Sequence, residues 1–114
     1  MKRICWFSRH RPLECQKEAL KKMFGSEVQI VQDPQPFSSA EEISKRYRAG
    51  NFDDMVIVAP LSVLAKLVEL GIKPLWCQMD VTESRQESDL TYNGRHYKFN
   101  RFRRVKMVHV EFED

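Results

Sequence analysis

At 114 residues, with 42% hydrophobic and 31% charged residues, the chain has the size and composition of one small globular domain, long enough for a single core and too short for two. No window approaches the roughly 20 apolar residues that span a bilayer, and the apolar start breaks at Ser8 and runs into Arg9, His10 and Arg11, unlike a signal peptide. The expectation is a cytoplasmic chain without a membrane partner. Cys5, Cys15 and Cys77 are odd in number and lack CxxC spacing, which argues against a disulfide framework and a structural zinc site. The net charge of +3 is uneven: seven basic against two acidic residues over 1–24, six against eleven over 25–94, and six against three over 95–114. Both ends are therefore basic, and a local positive field suits an anionic ligand.

The elements follow in chain order. Ile4-Cys5-Trp6-Phe7 is apolar without alternation, the pattern of a strand buried on both faces, with Ser8-Arg9-His10 at its carboxyl end. Pro12 opens a predicted helix to about Phe24, with Leu13, Leu20, Met23 and Phe24 facing inward and Gly25 as its stop. A second strand is predicted over 28–31 and a stiff loop at Asp33-Pro34-Gln35-Pro36. Ser38 and Ser39, with Glu41 and Glu42 three residues on, give two overlapping capping-box registers for a second helix ending near Gly50. Met55-Val56-Ile57-Val58-Ala59 is the clearest strand, and Pro60 stands at the start of a third helix closed by Gly71. A fourth strand is predicted over 75–79, terminated by Asp80.

Strict alternation of strand and helix implies a parallel sheet with right-handed crossovers. The expected architecture is thus α/β and Rossmann-like, about four parallel strands in the order 2-1-3-4 with helices on both faces. Beyond residue 80 the pattern changes. Leu90-Thr91-Tyr92 meets Asn93-Gly94, a hairpin signal, and a strand returns over 95–100. Alternating Val108, Val110 and Phe112 predict one more strand. The chain is then a single domain: an alternating core over 1–80 and an antiparallel β extension over 90–112.

In a sheet of that order a crevice opens between strands one and three. Its rim is expected to hold Ser8-Arg9-His10 from one strand and Ala59-Pro60-Leu61-Ser62 from the other, with Met79-Asp80 one strand further along. The glycines form neither GxGxxG nor GxxxxGK[ST], and the three histidines share no metal spacing, so dinucleotide motifs, a P-loop and a metal site are not expected. An arginine for phosphate, a histidine that exchanges protons near neutral pH, a serine hydroxyl and helix amides outline a phosphate-ester site. The plainer reading is a solvated loop in which Ser8 and Ser62 satisfy backbone amides and Asp80 ends a strand. The segment 95–106 interleaves aromatics with cations, as a nucleic-acid-binding ribbon does, but it reads better as an edge hairpin with one polar face.

At Trp6-Phe7-Ser8-Arg9-His10 the sequence resembles the small CRISPR-associated CARF-like ring nucleases, single-domain proteins that open with a Trp-aromatic strand ending in Ser-Arg-His. Val56-Ile57-Val58-Ala59-Pro60-Leu61-Ser62 and the strand ending Gln78-Met79-Asp80 resemble that family's next ligand-facing elements. The resemblance covers about residues 4–80 and leaves out the basic C-terminal hairpin. It implies a homodimer that binds a cyclic oligoadenylate, cyclic tetra-adenylate foremost, and opens its ring without cofactor or metal, silencing CRISPR ancillary effectors. In that scheme His10, Arg9 and Ser8 are catalytic: Arg9 clamps phosphate, His10 assists proton transfer and Ser8 orients the ribose-phosphate. Arg11, Pro60, Leu61, Ser62 and Asp80 bind ligand. The alternatives of another class are a non-catalytic binder or sensor of the same ligand and a nucleic-acid-binding accessory protein using the C-terminal ribbon.

Overall fold

The computed structural model describes residues 1–25, 27–109 and 111–113. Six strands and three helices form a mixed α/β fold: β1 (Lys2–Phe7), α1 (Glu14–Phe24), β2 (Val28–Asp33), α2 (Ala40–Ala49), β3 (Asp54–Ile57), α3 (Leu61–Glu69), β4 (Leu75–Thr82), β5 (Leu90–Tyr92) and β6 (Arg95–Arg104). They make one sheet in the order β2-β1-β3-β4-β6-β5. β1 runs parallel to β2 and β3, β3 parallel to β4, and β6 antiparallel to both β4 and β5.

Successive residues of β1 point to opposite faces, and both faces are covered, which explains its unbroken apolar run. Cys5 and Phe7 join Met55 and Ile57 of β3 beneath Ala40 and Ile43 of α2 and Leu64 and Leu67 of α3. Ile4 and Trp6 join Val56, Leu75 and Phe102 beneath Leu20 of α1. Each fully buried Ile, Leu or Phe removes enough apolar surface from water to contribute about 1.5–3 kcal/mol.

The helix ends follow local chemistry, with two corrections. Leu13, not Pro12, borders α1: Gln16 Oε1 accepts the Leu13 N–H at 2.8 Å, and Gly25 stops the helix in the left-handed region at φ 65°. Met23, expected in the core, is exposed. Of the two serines before α2, Ser39 is the cap, its Oγ accepting the Glu42 N–H at 3.2 Å, while Glu42 Oε2 accepts from the Ser38 N–H and hydroxyl at 2.9 Å each.

Strand bounds change as well: β2 takes in Asp33, expected in the loop, and β6, expected to end at Asn100, runs on to Arg104. β3 stops at Ile57, since the only registered pair with β4 is Val56–Leu75 and the two strands part beyond it. β4 runs on to Thr82, because β6 supplies an antiparallel partner along its length, so Asp80 lies within a strand and does not terminate one. No strand forms over 105–109 or 111–113: the Val105 N–H still donates to the Pro74 carbonyl at 2.9 Å, beside the Leu75–Arg104 pair, but the ladder ends there, Val108 packs on the α2–α3 side, and Phe112 is 89% exposed. Val110 lies outside the described residues.

The C-terminal extension is held at two points. Arg104 makes a two-pronged ion pair with Asp54, each nitrogen 2.7 Å from a carboxylate oxygen, and also donates to the Lys73 carbonyl at 2.8 Å. Near the middle of β6, Gln78 pairs with Arg101 but Met79 pairs with Phe99, leaving Asn100 as an extra residue, a bulge that bends the ribbon. Asn100 Nδ2 donates to Asp80 Oδ2 at 2.8 Å. At the tip, Asn93 and Gly94 both have positive φ, 51° and 74°, as a tight two-residue hairpin requires.

Candidate functional site

Beyond Phe7 the chain is fastened by its own hydrogen bonds. The Ser8 N–H donates to the Trp6 carbonyl at 3.2 Å, and Ser8 Oγ accepts the His10 N–H at 3.1 Å. The buried Trp6 donates its indole N–H to the His10 carbonyl at 2.8 Å, and Gln32 Nε2 donates to the Ser8 carbonyl at 3.0 Å. One tryptophan and one serine thus fix the backbone that presents Arg9, His10 and Arg11 to solvent. Among the described residues neither Arg9 nor Arg11 has a hydrogen-bond or ion-pair partner. Both charges are available to an anion.

Two clefts flank this loop and share Ser8, His10 and Val58. One, of about 310 Å3, adds Arg9 and is closed by the segment 33–37 after β2. Asp33 at its edge is offset by Arg46, 3.6 Å away. The other, of about 360 Å3, occupies the gap where β4 leaves β3. His10 and Arg11 stand at its rim with Ala59. Trp76, Cys77 and Met79 of β4 form one wall, and Leu90, Tyr92 and Tyr97 of the hairpin form another.

The crevice expected between β1 and β3 therefore extends across β4 to the hairpin. The hairpin reaches it because the sheet curls: Tyr92 of β5 lies edge to face against His10, ring centroids 5.7 Å apart at 82°, with β3, β4 and β6 intervening in sheet order. Trp76 and Tyr92 are 44% and 52% exposed, so both rings offer free surface.

The site residues named from sequence separate into two groups. Ser8, Arg9, His10 and Arg11 come together. Pro60, Leu61, Ser62 and Asp80 line neither cleft. Pro60 borders α3, Leu61 and Ser62 are exposed on its first turn, and Asp80 is engaged by Asn100 at the bulge. The amides at the start of α1 are only partly available, since Gln16 takes the Leu13 N–H and Glu14 places negative charge in the first turn. On the basic ribbon Arg104 is committed to Asp54, while Arg95, Lys98, Arg101 and Arg103 are exposed.

The residues that sequence reasoning missed are the aromatic wall, Trp76, Tyr92 and Tyr97, and Gln16 at the cleft floor. Gln16 Nε2 lies 3.2 Å from Cys77 Sγ, and Cys77 Sγ lies 3.6 Å from Met79 Sδ. Burial pushes the Cys77 thiol up to about 11 and the Cys5 thiol, which also faces the negative charge of Asp33, up to about 12. Both are protonated at neutral pH and are poor nucleophiles. Among the described residues no three His, Cys, Asp or Glu side chains gather in a way that could hold a metal ion, and no helix is long and apolar enough to cross a membrane. Comparison with protein-family models, with curated proteins and with solved structures found no match to the chain.

Proposed function

We propose that the chain binds a cyclic oligoadenylate, cyclic tetra-adenylate foremost, through the Ser8-Arg9-His10-Arg11 loop and opens its ring without metal. The carrying observation is the pair of unpartnered cations, Arg9 and Arg11, on either side of His10 at the rim shared by a polar cleft and an aromatic one. Phosphate meets the guanidinium groups, and a base has an apolar slot beside them. In this reading the four parallel strands are a CARF-like, Rossmann-like core, and the loop occupies the carboxyl end of β1 where such sheets bind ligands.

The cleft volume supports a homodimer. About 360 Å3 suits one nucleotide unit, so a ring of four extends beyond one protomer's aromatic cleft, and a partner related by a twofold axis would present a second such cleft to the opposite side of the ring. In cleavage, the 2′-hydroxyl oxygen of one ribose bonds to the adjacent phosphorus while the bond from phosphorus to the 5′-oxygen breaks. The hydroxyl proton passes to the His10 imidazole, Arg9 neutralises the phosphoryl oxygens, and the leaving 5′-oxygen takes a proton from solvent water, whose hydroxide then recovers the proton held on His10. The product is a linear oligonucleotide with a 2′,3′-cyclic phosphate at one end.

The test is incubation with cyclic tetra-adenylate in EDTA, followed by separation of cyclic from linear species. Linear product that disappears with His10→Ala supports cleavage, and intact ring after stoichiometric exposure overturns it. A second reading, binding without turnover, is favoured by the surroundings of His10: among the described residues its ring meets Tyr92 and no carboxylate, and Ser8 Oγ is already taken by the His10 backbone N–H. Calorimetric binding of the intact ring by wild type and His10→Ala alike, with no product, would select it.

A further inference from the structure

The aromatic cleft has a property that a phosphate site alone does not need. Its charged and ionisable groups gather at one end, where His10 and Arg11 meet Ser8, and apart from Gln16 at the floor, whose amide is engaged by Leu13 and Cys77, the remainder is a wall of rings and apolar side chains. Two of those rings, Trp76 and Tyr92, belong to residues about half exposed, and Val58 across the gap is exposed as well. Half-exposed aromatics beside the unpaired Arg11 complement a ligand that is flat and apolar at one end and anionic at the other.

The hairpin that carries Tyr92 is preorganised. The Asp89 N–H donates to the Tyr97 carbonyl at 2.8 Å, Asp89 Oδ2 accepts the Phe99 N–H at 2.8 Å, and Thr91 Oγ1 lies 2.9 Å from His96 Nδ1. Asn93 and Gly94 form the tight turn directly after Tyr92. Binding therefore need not order this wall, which preserves affinity.

From this geometry, and resting on the phosphate-binding reading of the loop, we infer that the C-terminal hairpin is the base-recognition half of the site. A nucleobase enters the gap between β3 and β4 and stacks on Tyr92, while Arg11 and His10 meet the attached phosphate. Tyr92 is the specificity-determining residue, because it is a half-exposed ring of the slot that also meets the imidazole of the phosphate-facing His10. The interaction is face-to-ring stacking, so it discriminates nucleotides from sugar phosphates and depends on the ring of Tyr92 more than on its hydroxyl.

The experiment compares adenosine 5′-monophosphate, ribose 5-phosphate and inorganic phosphate by calorimetry on the full chain, in wild type, Tyr92→Ala and Tyr92→Phe, with circular dichroism to establish folding. Wild type is expected to bind the nucleotide about tenfold or more tightly than ribose 5-phosphate, from one stacked base. Tyr92→Ala should remove that advantage, bringing nucleotide and ribose 5-phosphate binding within about twofold of each other, and Tyr92→Phe should retain the advantage. A wild type without preference for the nucleotide, or a Tyr92→Ala chain that keeps it, overturns the inference. If Tyr92→Ala fails to fold, Tyr92→Leu, apolar without a ring, replaces it under the same criterion. Failure of the ring-opening reading is distinguishable: cyclic tetra-adenylate then stays intact while the Tyr92-dependent nucleotide preference persists.

Discussion

His10 and Tyr92, 82 residues apart in the chain, meet edge to face with their ring centroids 5.7 Å apart. Their strands are separated by β3, β4 and β6, so the contact records how far the sheet curls. The Asn100 bulge, pinned by Asp80, lies on the path between them. Removing the Tyr92 ring should change the chemical shifts of the His10 ring protons in NMR, as the ring current of its neighbour is lost. Asp80→Ala should shift them in the same direction by loosening the bulge. His10 resonances unchanged in Tyr92→Ala would show that the contact is not populated.

Arg104 and Asp54 clasp the extension to the core. Asp54 is 9% exposed and has both oxygens on the guanidinium, so Arg104→Ala leaves a carboxylate without its partner in a poorly hydrated place. The expected loss is about 2–3 kcal/mol, read as a lower urea midpoint. Arg103→Ala, one position earlier and exposed, should stay within about 0.5 kcal/mol. Nucleic-acid binding tests should accordingly neutralise Arg101 and Arg103 and keep Arg104.

Glu42 governs part of the acid limb of stability. Its carboxylate accepts from the Ser38 backbone and hydroxyl and pairs with Arg46, and these bonds hold it at about 2 instead of the usual 4.5. A lowered native value means that the contribution is present above about pH 4.5 and fades as the pH falls towards 2. Glu42→Gln should therefore flatten the stability profile between those limits in denaturant titrations. An unchanged profile would exclude Glu42 as its source.

The thiols give the opposite sign. Cys5 and Cys77 are held protonated by burial up to about 12 and 11, so their contribution is present below pH 9 and is lost as the pH rises through those values. At pH 8 the native chain should alkylate slowly at both positions, Cys5 slowest, and all three cysteines should react quickly in denaturant. Mass spectrometry of iodoacetamide-treated protein reads this directly. Rapid native labelling of Cys5 would contradict its burial.

Local sequence determined what local forces decide. The unbroken apolar run of Ile4-Cys5-Trp6-Phe7 required cover on both faces, Gly25 and Ser39 set helix ends, and Asn93-Gly94 closed a hairpin. The loop Ser8-Arg9-His10-Arg11 was legible as a site for the same reason: its residues are contiguous and follow a buried strand. The alternation of Val108 and Phe112 misled, because a strand needs a partner edge as well as a pattern, and the ladder with β4 ends at Arg104. Only the tertiary structure decided the rest. Where β4 parts from β3, how the Asn100 bulge curls the ribbon, and hence that Tyr92 lies against His10 and Arg104 against Asp54, depend on registers and bends summed over four strands. No residue spacing encodes such a sum, since each strand crossing adds its own twist before the two ends of the site meet.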